Sequence, residues 1–153
     1  MVRDHLVWAE IDLRRIAHNV RELRRVTQPQ SRLMAVVKAN AYGHGAMEVA
    51  TCALNNGADA LAVARVDEAI ELRRAGIAAP LLIMGYTPVK YAGDIIKWNL
   101  IQAVNSVPLA EEFSAAAKSK GTKIKIHTKV DTGMGRLGLP AITDQLNASR
   151  KIP

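Results

Sequence analysis

Five short apolar runs, Leu33–Val37, Ala60–Val63, Leu81–Met84, Leu100–Val104 and Ile124–Val130, recur along the chain with helix-patterned segments between them. Runs of this kind, bounded by turn residues, read as strands, and their alternation with helices requires parallel pairing through right-handed crossovers. Ala46, Val49, Ala50, Ala53 and Leu54 fall on one helical face, and Gly57 supplies a stop. Asp67 and Glu68 complement the dipole of the next helix, which Gly76 ends. Thr87 and Pro88 predict an N-cap and a first-turn proline ahead of Ala92, Ile95 and Ile96. Ser106 and Pro108 open a further helix that buries Leu109, Phe113, Ala116 and Ala117 and stops at Gly121. Before the first strand, Leu13, Ile16, Ala17 and Val20 predict a helix with a buried stripe, and Arg14, Arg15, Arg21, Arg24 and Arg25 fall on its solvent side. The class is α/β, with about five parallel strands and four to five helices.

Strand number alone does not separate a doubly wound sheet from part of an eight-stranded barrel. The fifth run is the informative one. Lys123, Lys125, His127 and Lys129 share one parity, while Ile124, Ile126, Thr128 and Val130 share the other. A central parallel strand is apolar on both faces. Here one face is built to pack on helices and the other is polar, which fits either an active-site floor inside a barrel or an edge strand with a wet face.

The chain has 153 residues, half of them apolar, enough for a real core, and only 4% are aromatic. Its single cysteine, Cys52, lies in a helical apolar pattern and reads as a buried, inert thiol, so no disulfide framework is possible. Arg3, Asp4 and Glu10 interrupt the N-terminus, which therefore does not read as a signal peptide, and no apolar run approaches membrane-spanning length. These features give a cytoplasmic reading with no membrane partner. The net charge of +7 is densest in the five arginines. Such a run could face a nucleic acid, but without interleaved aromatics for base stacking it is more often a solvated face.

Lys38 stands where the first apolar run ends, followed by the glycine-flanked turn Ala39-Asn40-Ala41-Tyr42-Gly43-His44-Gly45. A lysine there is held by a rigid strand and points from the end of the sheet where α/β folds place their chemistry. An amine so placed can lose its proton and form a Schiff base with an aldehyde cofactor. On composition alone, the commoner reading is a solvated lysine capping a strand. His44 is assigned a structural hydrogen-bonding role. At the other end, Gly133-Met134-Gly135-Arg136-Leu137-Gly138 fits the G-x-G-x-x-G dinucleotide fingerprint. Pro140 follows almost at once, and too little sequence remains for the second strand and its ribose-binding acid. The pattern is a decoy; the glycines instead let a loop fold over the barrel mouth and present Arg136 inward.

Three strings carry a family resemblance. Val36-Val37-Lys38-Ala39-Asn40-Ala41-Tyr42-Gly43-His44-Gly45 resembles the cofactor-lysine motif of alanine racemases, the pyridoxal-phosphate enzymes that interconvert L- and D-alanine. Lys129-Val130-Asp131-Thr132-Gly133-Met134-Gly135-Arg136-Leu137-Gly138 resembles the segment after their fifth barrel strand, and Glu10-Ile11-Asp12-Leu13 with His18-Asn19 resembles their N-terminal opening. The matches keep the family's order. The resemblance implies the N-terminal part of a (β/α)8 TIM-type barrel, with Lys38 forming the internal aldimine with pyridoxal 5'-phosphate and acting as one of two bases. It implies that the Tyr42 hydroxyl helps to hold the cofactor phosphate, with packing at the barrel mouth as the alternative. Arg136 would bind the cofactor's ring hydroxyl side and the substrate carboxylate. Lys129 matches a lysine that is often carbamylated in the family, so that it orients the arginine; unmodified, it would repel Arg136. Asp131 would either neutralise that pair or serve as a turn residue.

The same resemblance implies alanine as substrate, a homodimer, a place in D-alanine supply for peptidoglycan, and no metal. Family members are more than twice this long. Residues 1–153 are therefore expected to be an N-terminal portion, inactive by itself, without the rest of the barrel and without the C-terminal β domain. That domain carries the second base, a tyrosine that reaches into the partner's active site. The rivals are another barrel-type pyridoxal-phosphate enzyme (a broad-specificity racemase or a decarboxylase) and a non-catalytic cofactor-binding or nucleic-acid-binding module.

Overall fold

The structure, a computed structural model, describes residues 7–141. Asp12 opens helix α1 (Leu13–Val26), its carboxylate accepting from the Arg14 amide at 2.9 Å. Strand β1 (Met34–Val36) leads through a single turn, α2 (Lys38–Tyr42), into α3 (Ala46–Asn55). There follow β2 (Ala60–Val63), α4 (Val66–Arg74), β3 (Leu81–Ile83), α5 (Ala92–Lys97), β4 (Ile101–Val104), α6 (Val107–Lys118) and β5 (Lys125–Thr128). Two short strands, β6 (Val130–Asp131) and β7 (Leu139–Pro140), complete the described chain. The expected helix stops hold: Gly57, Gly76 and Gly121 take φ of 114°, 92° and 64°, the left-handed region open to glycine.

The sheet has the order β1-β2-β3-β4-β5, every neighbouring pair parallel. A doubly wound sheet starts near its middle and reverses direction; here each strand is added on the same side of the one before it. That is the winding of a barrel. The register carries one row across all five strands, Val36, Ala62, Leu82, Ile101 and Lys125. Ala62 and Leu82 in this row and Ala103 in the next form a small cluster with Met34, Met84 and Ile101 on the face away from the helices. On the opposite face Leu61, Val63, Leu81, Ile83 and Val104 meet Leu72, Ile95 and Phe113 of the helices, all buried. This layer is the main core, where each large side chain contributes about 1.5–3 kcal/mol by leaving water. Arg73 closes it from α4, its guanidinium donating to the carbonyls of Trp98, Ile77, Ala79 and Asn99 at 2.6–3.2 Å.

Four local expectations are corrected. Thr87 does not cap a helix: Pro88 takes an extended ψ of 145°, so a 3-10 turn (Val89–Tyr91) precedes α5. In α1 no residue is fully buried, because the stripe of Ile16, Ala17 and Val20 meets chiefly one element, α3, and Leu13 stays exposed. Arg24 is not on the solvent side; it crosses to Asp59 at 3.2 Å and to the carbonyls of Gln28 and Ser31. Cys52 is half-buried rather than buried, its thiol directed to the Leu13 carbonyl at 3.3 Å.

Candidate active site

Lys38 continues the inward parity of Met34 and Val36 beyond the last residue of β1, while Ala35 and Val37 pack toward the helices. It is half-buried at the carboxyl edge of the sheet. The chain does not run straight on from it. Ala39, Asn40, Ala41 and Tyr42 take φ of 51°, 53°, 51° and 56°, a left-handed turn built from non-glycine residues. Each such residue costs roughly 1–2 kcal/mol, so a run of four persists only where its surroundings over-determine it. The turn is held by Ala41 N–H to the Val37 carbonyl (2.9 Å), Gly43 N–H to the Ala39 carbonyl (3.1 Å) and Gly45 N–H to the Asn40 carbonyl (3.0 Å). The Asn40 side chain accepts from the Ala46 amide at 2.7 Å, tying the turn to the start of α3. Ala41 is buried in the main core. The reversed twist carries Tyr42 back so that the Lys38 Nζ lies 5.9 Å from its ring centroid. His44 turns its Nδ1 to the Ala41 carbonyl at 2.9 Å, so it serves the turn.

On the far side of the sheet, register sets Lys125 opposite Ile101 and His127 opposite Ala103, so both share the inward face. Ile124 and Ile126 pack on the helix-side core. β5 is at once the outer strand of the described sheet and polar on its inward face, so the two readings of its parity are compatible. Lys129 follows it, half-buried, its amide bound to the Val104 carbonyl and its carbonyl to the Leu139 amide, both at 2.8 Å. Beyond it the glycine-rich string loops between β6 and β7, two short parallel strands. No helix follows Gly138 at once, as a dinucleotide site requires.

Asp131 organises this loop. Its Oδ1 accepts from the amides of Gly133 (2.9 Å) and Gly135 (3.1 Å), and its Oδ2 from that of Arg136 (2.9 Å). The amides of Gly133 and Gly135 hold its carboxyl below the usual range. Of its two expected roles, Asp131 takes that of the turn residue. Arg136 is exposed, and among the described residues no hydrogen bond joins its side chain to Lys129, Lys38 or Tyr42.

The structure thus brings Lys38 and Tyr42 together and sets Lys129 and Arg136 around the β6–β7 loop at the same edge of the sheet. A site for a phosphorylated aldehyde needs an available amine and donors for an anion. The Lys38 Nζ has no hydrogen bond or ion pair among the described residues, and Tyr42 and Arg136 are exposed. This donor set fits pyridoxal phosphate. Sequence reasoning missed Glu68 and Asn40 as supports of the lysine turn; the only local signal was an acid at the third position of a helix, which also marks an ordinary cap. The arginines of α1 have partners on this chain: Arg14 and Arg15 meet Asp12 at 3.3 and 3.7 Å, Arg25 meets Glu22 at 2.8 Å, and Arg21 donates to Asn56 at 2.6 Å.

A singly wound parallel sheet with a lysine at the carboxyl end of its first strand defines a barrel-type α/β enzyme domain. The chain belongs to the family of alanine racemase N-terminal domains, which it matches over residues 11–152. The alanine racemase of Desulfosudis oleivorans is 50% identical over 141 residues, covering 92% of this chain and 36% of its own. That of Methanococcus maripaludis is 47% identical over 148 residues, covering 97% and 40%. Among solved structures, an alanine racemase of Clostridium difficile 630 in complex with cycloserine superposes with a TM-score of 0.87 at 37% identity, covering 98% of this chain and 43% of that one. The chain therefore spans about two fifths of the length of the relatives it matches. Among the described residues, no helix is long and apolar enough to cross a membrane.

Proposed function

We propose that residues 1–153 supply the first five strands of a pyridoxal-phosphate-dependent alanine racemase, and that the whole protein interconverts L- and D-alanine in the cytoplasm as a homodimer. The observation that carries this reading is Lys38 on the inward parity at the end of β1, presented by a left-handed turn that returns Tyr42 over it. When bound, pyridoxal phosphate would act as an electron sink that makes the α-proton of alanine removable.

The chain's own residues do the rest. The Lys38 amine, once neutral, takes the α-proton from one face of alanine and returns one to that face in the reverse direction. The Tyr42 hydroxyl would help to hold the phosphate, and the fixed fork of Arg136 would hold the cofactor's ring hydroxyl side and the substrate carboxylate. Lys129 is the residue whose carbamylation would convert a repelling cation beside Arg136 into an anion that orients it. The opposite face needs a second base.

The test uses full-length protein given L-alanine and pyridoxal phosphate. D-Alanine should form, and borohydride treatment should leave the mass of the reduced cofactor on the peptide containing Lys38. A cofactor mass on another lysine, or no D-alanine, would overturn the reading.

A further inference from the structure

Glu68, the third residue of α4, has its carboxylate wholly engaged with backbone amides. Its Oε2 accepts from Ala64 N–H at 2.8 Å and Arg65 N–H at 2.9 Å, which closes the start of α4. Its Oε1 reaches across to Ala39 N–H at 2.6 Å, a residue 29 positions earlier in the chain. Ala39 opens the left-handed turn, and its amide belongs to the peptide that directly follows Lys38. The adjacent Asp67 does something different: both its oxygens hold the Arg65 guanidinium, at 2.9 and 3.0 Å. The nearest cation is thereby satisfied by Asp67, and Glu68 is left to the amides.

We infer that Glu68 is the positioning residue of Lys38: one carboxylate locks the carboxyl ends of β1 and β2 together and fixes the peptide from which the lysine side chain departs. The reasoning is conformational. Four consecutive left-handed residues are not self-supporting, and the local carbonyl contacts of the turn all involve residues 37–46. The Glu68 contact to Ala39 ties the turn to a different strand–helix unit. With the Ala39 peptide plane fixed, the Lys38 backbone is fixed as well, so its side chain projects along one inward direction. Without that bond the turn can relax toward ordinary dihedrals, and the amine leaves its place.

This inference deepens the proposed function and rests on its reading of Lys38 as the reactive amine. It is tested in the full-length protein with Glu68→Gln, Glu68→Asp and the neighbouring control Asp67→Asn. Gln keeps the length but turns one oxygen into a donor facing amide donors. Asp keeps the charge but is one methylene too short to hold both units. In wild type the Ala39 amide should exchange slowly although the residue is exposed, and in Glu68→Gln at least about tenfold faster. Capture of pyridoxal phosphate on Lys38, trapped with borohydride and read by peptide mass, should slow by roughly 10- to 100-fold in both Glu68 variants, and kcat should fall more than KM rises. Asp67→Asn should stay near wild type in all three. An unprotected Ala39 amide in wild type would overturn the inference, and that measurement decides even if a variant fails to fold. Wild-type capture rates in Glu68→Gln would overturn it too. A wild-type protein that captures cofactor on Lys38 without interconverting alanines would instead sink the proposed function, leaving Glu68 to be judged on exchange and capture.

Discussion

The Lys38 ammonium lies 5.9 Å from the centre of the Tyr42 ring because the four residues after the lysine wind left-handed instead of continuing as a right-handed helix. The left-handed turn buries Ala41 in the core and keeps the lysine and the tyrosine at the open edge of the sheet.

Removing the amine removes the chemistry. In full-length protein, Lys38→Ala should abolish both covalent cofactor attachment and racemisation. Lys38→Arg should fail equally, since a guanidinium stays protonated and cannot condense with an aldehyde. Racemisation at the wild-type rate in either variant would take Lys38 out of the mechanism.

Acid should loosen the Arg136 loop. The folded Asp131 carboxyl titrates below its ordinary value of 3.8, first because of the Gly133 and Gly135 amides. A lowered folded pKa stabilises the loop above the unfolded value, and that contribution is lost as pH falls through the folded one. Protection of the Gly133, Gly135 and Arg136 amides, taken as exchange relative to the intrinsic rate at the same pH, should therefore fall at low pH, and Asp131→Asn should show reduced protection already at neutral pH. Equal protection in Asp131→Asn and wild type would show that something else orders the loop.

Two glycines should respond in opposite ways to alanine. A Cβ on Gly138 would meet the Asp131 nitrogen at 2.5 Å, with a φ of 142° that alanine adopts poorly. Gly138→Ala should cost about 1–3 kcal/mol, separating β6 from β7. A Cβ on Gly93, inside α5, meets nothing within 4 Å. Gly93→Ala should be stabilising by about 0.5–1 kcal/mol. Thermal denaturation of both variants checks the pair.

Arg73 is a structural cation. Burial pushes its guanidinium pKa down, yet it feeds four carbonyls at the foot of β3 and β4. Arg73→Met, which keeps much of the packing, should cost about 1.5–3 kcal/mol through unsatisfied carbonyls. Chemical denaturation with unchanged midpoint would count against this.

The 153-residue chain produced by itself should self-associate and show no racemisation above free pyridoxal phosphate. β1 and β5 are the outer strands of the described sheet, and the inward face carries Met34, Leu82, Met84 and Ile101. General acid–base groups contribute roughly 10²–10⁴-fold each, and Lys38 would serve one face of the substrate. A compact monomer in sedimentation, or clear D-alanine formation, would contradict the respective half of this expectation.

Much of this molecule is local and therefore readable along the chain. The Ala60–Val63 strand, the Ser106 cap and the glycine stops depend on neighbours a few residues away, and they hold. The string around Lys38 pointed to a candidate site through its family resemblance, since a lysine ending an apolar strand is by itself more often a solvated cap. Three features depended on distance in sequence. The single direction of strand addition, which makes the sheet barrel-like, follows from how helices pack across strands and leaves no trace in any one run. The left-handed turn is spelled Ala39-Asn40-Ala41-Tyr42, residues whose propensities favour ordinary dihedrals; tertiary contacts impose its hand. Those contacts include Glu68, whose composition and position look like a plain helix cap until folding brings β1 and β2 side by side and sets Ala39 within reach of its carboxylate.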